Sequence, residues 1–392
     1  MSIAISQLAG RVQPSATIAA AAKARQLRAS GVQVYDFSLG EPDQPTPEHI
    51  CRAAADAVRA GHTHYTPVAG IPEVRNAIAA WYKSFHSYTV DPAQIVVSNG
   101  AKHSLHNALV ATCGPGDEVI IPTPYWVSYS DLVAMAGATP VLVSTTIESG
   151  FKLAPEQVRA AITPRTKIVM INSPCNPTGT VYRREELEQL VDVILPSTAG
   201  ILSDEIYEQL CYGDAKPTCV ATLRPALADR TITVSGASKS YAMTGWRMGW
   251  AIAPLAVAKA MADIQSQETS CPSSVSQYAL VAALTGPQDC VAAMRHEYEM
   301  RRELVAKRLG AIPKLKLHIG DGAFYAFFDV SAYFGRFGTD SLSFCSACLE
   351  SAHVNFVPGS AFGCEGFVRM SYAASRDTIE QGLSRFAAWL AT

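Results

Sequence analysis

The stretch Thr231-Ile232-Thr233-Val234-Ser235-Gly236-Ala237-Ser238-Lys239-Ser240 decides the fold. Its first half is rich in β-branched residues and free of charge, the pattern of a strand covered on both faces, as in helix-flanked parallel sheets. Small residues then make a turn that ends on a lysine. Read outward, the same pattern recurs at Ile95-Val96-Val97, Glu118–Ile121, Val141–Ser144, Lys167–Ile171 and Gly200–Ser203, with amphipathic helices between. This alternation predicts an α/β domain with a mainly parallel, mixed sheet flanked by helices. Thr46-Pro47-Glu48 is expected to cap its first helix, with Pro47 at the first helical position. A long helical stretch runs through roughly Pro254–Leu284 before Gly286-Pro287 breaks the chain. Beyond it, a charged helix to Arg308, short strands near Phe324–Phe328 and Val368–Met370, and helices near Ser341–Ser351 and Asp377–Leu390 read as a smaller α+β domain. The predicted division is an arm and part of the small domain over 1–45, a large domain over 46–285, and a small domain over 286–392.

Composition narrows the class. Of 392 residues, 48% are hydrophobic and 17% charged, enough for a sizeable core, and the formal net charge is -2. No run of like charges suggests nucleic acid or a polybasic membrane surface, so the expected partner is a small molecule. Ten scattered cysteines lack the paired spacing of a secreted scaffold and suit a reduced, cytoplasmic chain. Cys345 and Cys348 are spaced like half a zinc site but read as one helical turn, and no metal site is expected. The N-terminus is free of acidic residues before Asp36 and carries Arg11, Lys23, Arg25 and Arg28, as transit peptides do. A first amphipathic helix over about Thr17–Ser30, stopped by Gly31, explains it better. No stretch approaches a transmembrane length.

In such sheets ligands sit where strands end and helices begin, and four of these junctions carry chemistry-bearing residues. Lys239 follows a buried strand, where desolvation and neighbouring cations can turn an ammonium into a nucleophile. Arg247, eight residues on in Thr244-Gly245-Trp246-Arg247, can grip a phosphate bidentately. Asp204 leaves the apolar run Ile201-Leu202-Ser203, which is costly unless a cation pairs with it or it caps a helix. A protonated pyridine nitrogen is such a cation, and Tyr207 lies one turn further on. Asn172-Ser173-Pro174-Cys175-Asn176-Pro177-Thr178-Gly179 is a rigid turn that can aim the Asn176 amide. Ser98-Asn99-Gly100-Ala101-Lys102 opens a helix and is a ready anion site.

With Pro14-Ser15-Ala16-Thr17, Leu39-Gly40-Glu41-Pro42-Asp43, His64-Tyr65-Thr66-Pro67-Val68-Ala69-Gly70, Pro124-Tyr125-Trp126 and Val368-Arg369-Met370-Ser371-Tyr372, these segments resemble the class I/II aminotransferases of the type I pyridoxal-phosphate fold. Within that family they are most similar to the bacterial aspartate aminotransferase subgroup, over essentially the whole chain. The resemblance implies pyridoxal 5'-phosphate as cofactor, amino acids and 2-oxo acids as substrates, ping-pong chemistry with aspartate and 2-oxoglutarate, and a homodimer with shared sites. Lys239 would carry the cofactor and shuttle the α-proton. Asp204 would pair with the pyridine nitrogen, Asn176 and Tyr207 would face the phenolate oxygen, and Trp126 would stack on the ring. Gly100, Ala101, Ser238 and Arg247 would form the phosphate cup, with Tyr65 reaching into the neighbouring subunit's cup. Arg369 would clamp the α-carboxylate beside Gly40. Lys102, helped by Ser15 and Thr17, would meet a distal carboxylate, or else add charge to the phosphate cup. Some relatives that accept prephenate have Lys immediately before the Pro-Ser-Ala-Thr motif where this chain has Gln13, which weakens that option without removing it, and some members have Ser where it has Gly236. An aromatic aminotransferase or a carbon–sulfur lyase on the same fold would keep Lys239, Asp204 and Arg369. His103 and His106 read as solvated or packed side chains.

Overall fold

The computed structural model describes the backbone of residues 3–11 and 16–392, and their side chains except at 7, 11 and 16–18. Thirteen strands are present among them: β1 (Tyr35–Asp36), β2 (Ile95–Asn99), β3 (Glu118–Thr123), β4 (Thr139–Ser144), β5 (Thr166–Asn172), β6 (Gly200–Asp204), β7 (Thr231–Gly236), β8 (Met248–Ile252), β9 (Lys316–Ile319), β10 (Tyr325–Asp329), β11 (Val354–Asn355), β12 (Val357–Pro358) and β13 (Phe367–Ser371). Seven form one sheet in the order β2-β8-β7-β6-β5-β3-β4. The pairs β3/β4, β3/β5, β5/β6 and β6/β7 are parallel, and β8 runs antiparallel to both its neighbours. The sheet is therefore mixed and mainly parallel. Strands β2, β6, β7 and β8 are buried almost throughout, because helices cover both faces.

One apolar layer joins the sheet to helices Glu48–Arg59, Pro72–His86 and Ser274–Thr285. Two others pack Ala101–Thr112 with Leu255–Glu268, and Pro155–Ala161 with Arg184–Ile194. Helix Glu48–Arg59 shows how pattern becomes packing: Ile50, Ala54 and Ala57 fall on one stripe and are its buried residues. A second sheet, β12-β13-β10-β9, is antiparallel and shares a core with helices Asp289–Gly310 and Arg376–Ala391. That core also takes in Phe37, Tyr207 and Leu210, so the Tyr207 turn is packed into it. A short parallel pair, β1 with β11, ties the segment after the first long helix to the C-terminal part. No helix among the described residues is long and apolar enough to cross a membrane.

Several local expectations needed correction. The stretch from Pro254 to Leu284 is two helices, Leu255–Glu268 and Ser274–Thr285, parted around Ser270 at φ 64° and Pro272. Pro272 lacks an N–H and disfavours helical backbone in the residue before it. Thr46 does not cap the helix at Glu48: its hydroxyl donates to Ala242 O at 2.7 Å and accepts from Trp246 Nε1 at 2.9 Å. Strands β8 and β9 are additional to the expected ones. The first is a bare five-residue run between motif residues, and the second, half exposed, alternates too briefly to stand out. Helix Ser341–Ala347 passes into a π-helical turn, Cys348–Ala352, instead of continuing regularly. The first long helix spans Ala16–Ala29, and Gly31 after it takes φ 87°, as its stop signal implied.

Candidate active site

The carboxyl ends of β5, β6 and β7, the start of helix Ala101–Thr112 and the segment after Phe37 surround a cavity of about 360 Å³. That size is typical of small-molecule sites. Lys239 enters from the turn after β7. Its Nζ donates to Gly40 O at 2.6 Å, and burial, aided by the charges of Arg369 and Arg247 and opposed by Glu41, pushes its pKa down to about 8. An amine in that range holds a reactive neutral fraction near neutral pH. A side chain at Gly40 has no room, since a Cβ there would lie 2.7 Å from the Tyr325 hydroxyl.

Asp204 ends β6 and is 4% exposed. No helix follows it, so it is not a helix N-cap; Oδ1 instead accepts from Ile206 N at 3.2 Å, and Oδ2 from the Tyr129 hydroxyl at 2.7 Å. Burial drives its pKa up to about 6 against these donors and the charge of Lys239. It makes no ion pair among the described residues. A buried carboxylate held this way is matched to an incoming cation. Tyr207 shares a 2.7 Å hydrogen bond with the Tyr325 hydroxyl.

Arg369, in β13, crosses to the same cavity and is 1% exposed. Its Nη2 donates to Ser38 O at 2.6 Å and its Nη1 to Asn176 Oδ1 at 2.9 Å, while Nε is buried without a partner. Its guanidinium also lies over the rings of Tyr325 and Phe362, at 4.6 and 5.0 Å. The bond to Arg369 uses the Asn176 carbonyl, which leaves the amide's NH₂ as its free donor. The turn is fixed from within by Asn176 N on Asn172 Oδ1 at 2.9 Å, and tied to the end of β6 by Asn172 Nδ2 on Asp204 O at 2.9 Å.

At the other end, His103 N and Ser104 N both bond back to Gly100 O, at 2.9 and 3.2 Å. The amides before them point out of the helix N-terminus, where anions are favoured. Gly100 has φ 88°, and a Cβ there would collide with the Arg247 guanidinium, so the glycine leaves the space that the arginine fills. Arg247 Nη1 is tethered to Thr244 O at 2.9 Å. Lys102 stands at the mouth with Nζ 4.8 Å from the Trp126 ring centre. Its pKa is lowered by burial and by Arg247, with Asp131 acting the other way.

Of the residues expected from sequence, Gly40, Ala101, Lys102, Trp126, Asn176, Asp204, Tyr207, Ser238, Lys239, Arg247 and Arg369 line this one cavity. Gly100 abuts it through Arg247. Tyr65 does not line it and is 91% exposed. Ser15 and the side chain of Thr17 lie outside the described residues. Gly236 faces Gly249 across β7 and β8, and a Cβ on it would press on Met248 O at 2.8 Å. His103 and His106 both bond Glu268, at 3.0 and 2.9 Å. Tyr129, Asn172, Tyr325 and Gly249 were missed. Tyr129 follows the Pro-Tyr-Trp motif by three residues, a usable signal; the others show only in three dimensions.

A half-buried lysine, a buried aspartate and a buried arginine meet in one cavity at the carboxyl edge of a mainly parallel sheet, an arrangement suited to a transferase of amino groups. The chain belongs to the aminotransferase class I and II family, whose family model matches residues 32–386. An aspartate/prephenate aminotransferase of Cereibacter sphaeroides is 46% identical, over 99% of this chain and 98% of that protein. The crystal structure of the aspartate aminotransferase from Rhizobium meliloti superposes with TM-score 0.95 at 42% identity, covering 100% of this chain and 99% of that one. Aspartate aminotransferase from Thermus thermophilus, in a structure with maleate, gives 0.94 at 42% identity, covering 99% and 100%.

Proposed function

We propose that this aminotransferase uses pyridoxal 5'-phosphate to exchange amino groups between aspartate and 2-oxoglutarate, as a cytoplasmic homodimer. The observation that carries the cofactor reading is the buried, cation-free Asp204 facing the same cavity as the amine of Lys239. The bound cofactor would supply an electron sink for the carbon that loses its proton. Asp204 would hold the ring's protonated nitrogen, oriented by the Tyr129 hydroxyl. The Asn176 NH₂ and the Tyr207 hydroxyl are donors suited to the phenolate oxygen, and Trp126 is suited to cover the ring. Amides at Ala101, the Ser238 hydroxyl and Arg247 would take the phosphate, on the helix N-terminus that Gly100 starts. Lys239 would hold the cofactor covalently and move the α-proton as general base and acid, with a pKa near the working pH. Arg369, with its unpartnered Nε, would bind the α-carboxylate and so set which bond stands perpendicular to the ring.

Lys102 supports an acidic donor: its ammonium is at the mouth, where the distal carboxylate of aspartate or glutamate would arrive, with Ser15 and Thr17 of the arm closing over it. Maleate, bound in the Thermus structure, is likewise a dicarboxylate. The exposed Tyr65 supports a second subunit that completes each site. The ten unpaired cysteines support a reducing compartment. The seven-stranded and four-stranded sheets support domains at 46–285 and 286–392, and the pairing of β1 with β11 and the place of Phe37 in the second core support 1–45 as arm and part of the small domain. A panel of amino donors against 2-oxoglutarate, with prephenate as alternative acceptor, tests substrate choice. Lys102→Ala should lower kcat/KM for aspartate by about ten- to a hundredfold, the worth of one charge-assisted contact. Alanine and phenylalanine should be much less affected. Equal loss for all donors, with looser cofactor, would assign Lys102 to the phosphate cup.

A further inference from the structure

Asp204 and Tyr207 belong to one turn, and the two glutamates in that turn do not line the cavity. Glu205 and Glu208 are 2% and 3% exposed. Glu208 accepts from Ser235 Oγ of β7 at 2.6 Å and pairs with His86 Nε2 at 2.7 Å, at the end of helix Pro72–His86. Glu205 Oε1 accepts from Ser203 Oγ at 2.7 Å and Val220 N at 3.1 Å, while its Oε2 is buried without a partner. A nitrogen of His86 and one oxygen of each glutamate lie within 4.8 Å of one another. Two carboxylates this close and this dry do not both ionise without a cation between them. Tyr82, Tyr88, Cys211, Cys219 and Tyr241 face these charges; burial is the main cause that pushes each of them up, with one or both glutamates adding to it and Cys219 acting before Glu205 on Tyr88, so they stay neutral. His86 is the cluster's basic side chain, with Nε2 at hydrogen-bond distance from Glu208.

We propose that His86 is a positioning residue: as an imidazolium clamped to Glu208 and facing Glu205, it holds the 204–208 turn, and with it Asp204 and Tyr207, against the strand that leads to Lys239. This rests on the reading that Asp204 and Tyr207 hold the cofactor. Burial opposes the charge on His86, but the Glu208 hydrogen bond and the charges of Glu208 and Glu205 outweigh it and raise its pKa. Burial, then the charge of Glu208, pushes Glu205 up, so it gives up its proton less readily than an ordinary carboxyl group. The charge of Glu208 is also among the influences that raise Asp204, which links the cluster to the cofactor-facing carboxylate.

Nitrogen-15 histidine NMR on the full chain with pyridoxal phosphate and no substrate tests the charge state. The His86 signal is identified by its loss in His86→Gln, or by its shift in Glu208→Gln if the first variant does not fold. Two protonated ring nitrogens at neutral pH are expected; a neutral ring, or one equivalent of bound metal that disappears in the variant, overturns the proposal. In whichever variant folds, kcat should fall about three- to tenfold with donor KM held within about twofold, as expected for slight misplacement of cofactor-holding groups. The pH midpoint of the cofactor's visible absorption should move. An unmoved midpoint with normal kcat in a folded variant also overturns it. If Asp204→Ala leaves the cofactor tightly bound while His86 remains an imidazolium, the cofactor reading fails and the positioning role falls with it, whereas the charged cluster stands.

Discussion

Lys239 holds an amine in the site at the expense of its charge, and the consequences can be read without substrate. Its pKa in the folded chain is about 8, against an ordinary value of 10.5. Below about pH 8 both folded and unfolded chains hold the proton, and the folded state bears the full cost of a buried ammonium. Between about 8 and 10.5 the unfolded chain binds the proton that the folded chain has released, so stability rises with pH. Lys239→Met should therefore make the cofactor-free protein more stable at pH 7, by on the order of 1–3 kcal/mol. Thermal melts should show the gap closing toward pH 10, and a gap that widens with pH would refute the depressed pKa. The same variant should lose turnover, and borohydride reduction of the parent should label Lys239 and no other lysine. At this scale the sequence was informative: Asp204 and Lys239 stand at or just past strand ends, where local patterning locates them, although Arg369 lies mid-strand. What patterning missed was orientation, such as the bond from Arg369 that turns the Asn176 amide.

Among the elements, β8 shapes the site with few signals visible in the sequence. Gly249 pairs with Ser98 of β2 on one side and Gly236 of β7 on the other. A Cβ on Gly249 would strike the Ala101 amide and the Gly100 carbonyl carbon, because the strand runs directly beneath the helix start that forms the phosphate cup. Gly249→Ala should push that N-terminus outward. The expected cost is about 1–3 kcal/mol of stability, as for overpacking a dense core. Cofactor release, followed by dialysis and absorbance, should be about tenfold easier, the weight of roughly 1.4 kcal/mol on one contact. Unchanged retention and melting temperature would show that the helix start yields freely. No helix or strand pattern announces such a glycine, since the clash that excludes a side chain comes from residues far away in the chain.

For the whole molecule, the exposed Tyr65 is the residue the single chain leaves unexplained. Its expected place is the phosphate cup of a second subunit. Lys239→Ala and Tyr65→Ala proteins should each be nearly inactive alone, and mixing them after reversible dissociation should restore part of the activity, because some hybrid dimers carry one site with both residues. Light scattering should show a dimer at assay concentration. Hybrids with no recovered activity would place Tyr65 outside the shared site.

The sequence by itself determined the alternation of strands and helices, the parallel character of the main sheet and the junction residues, because each depends on neighbours close in the chain. It also carried enough ordered motifs to name the family. Tertiary structure decided the rest. Arg369 meets Asn176 across 193 positions and Ser38 across 331, and Tyr207 meets Tyr325 across 118. The antiparallel course of β8, the collision that keeps Gly249 bare and the buried partnership of His86 with Glu208 belong to the same class. Each is a contact between segments remote in sequence, fixed by how two cores pack, and no local periodicity encodes which side chains will then face one another.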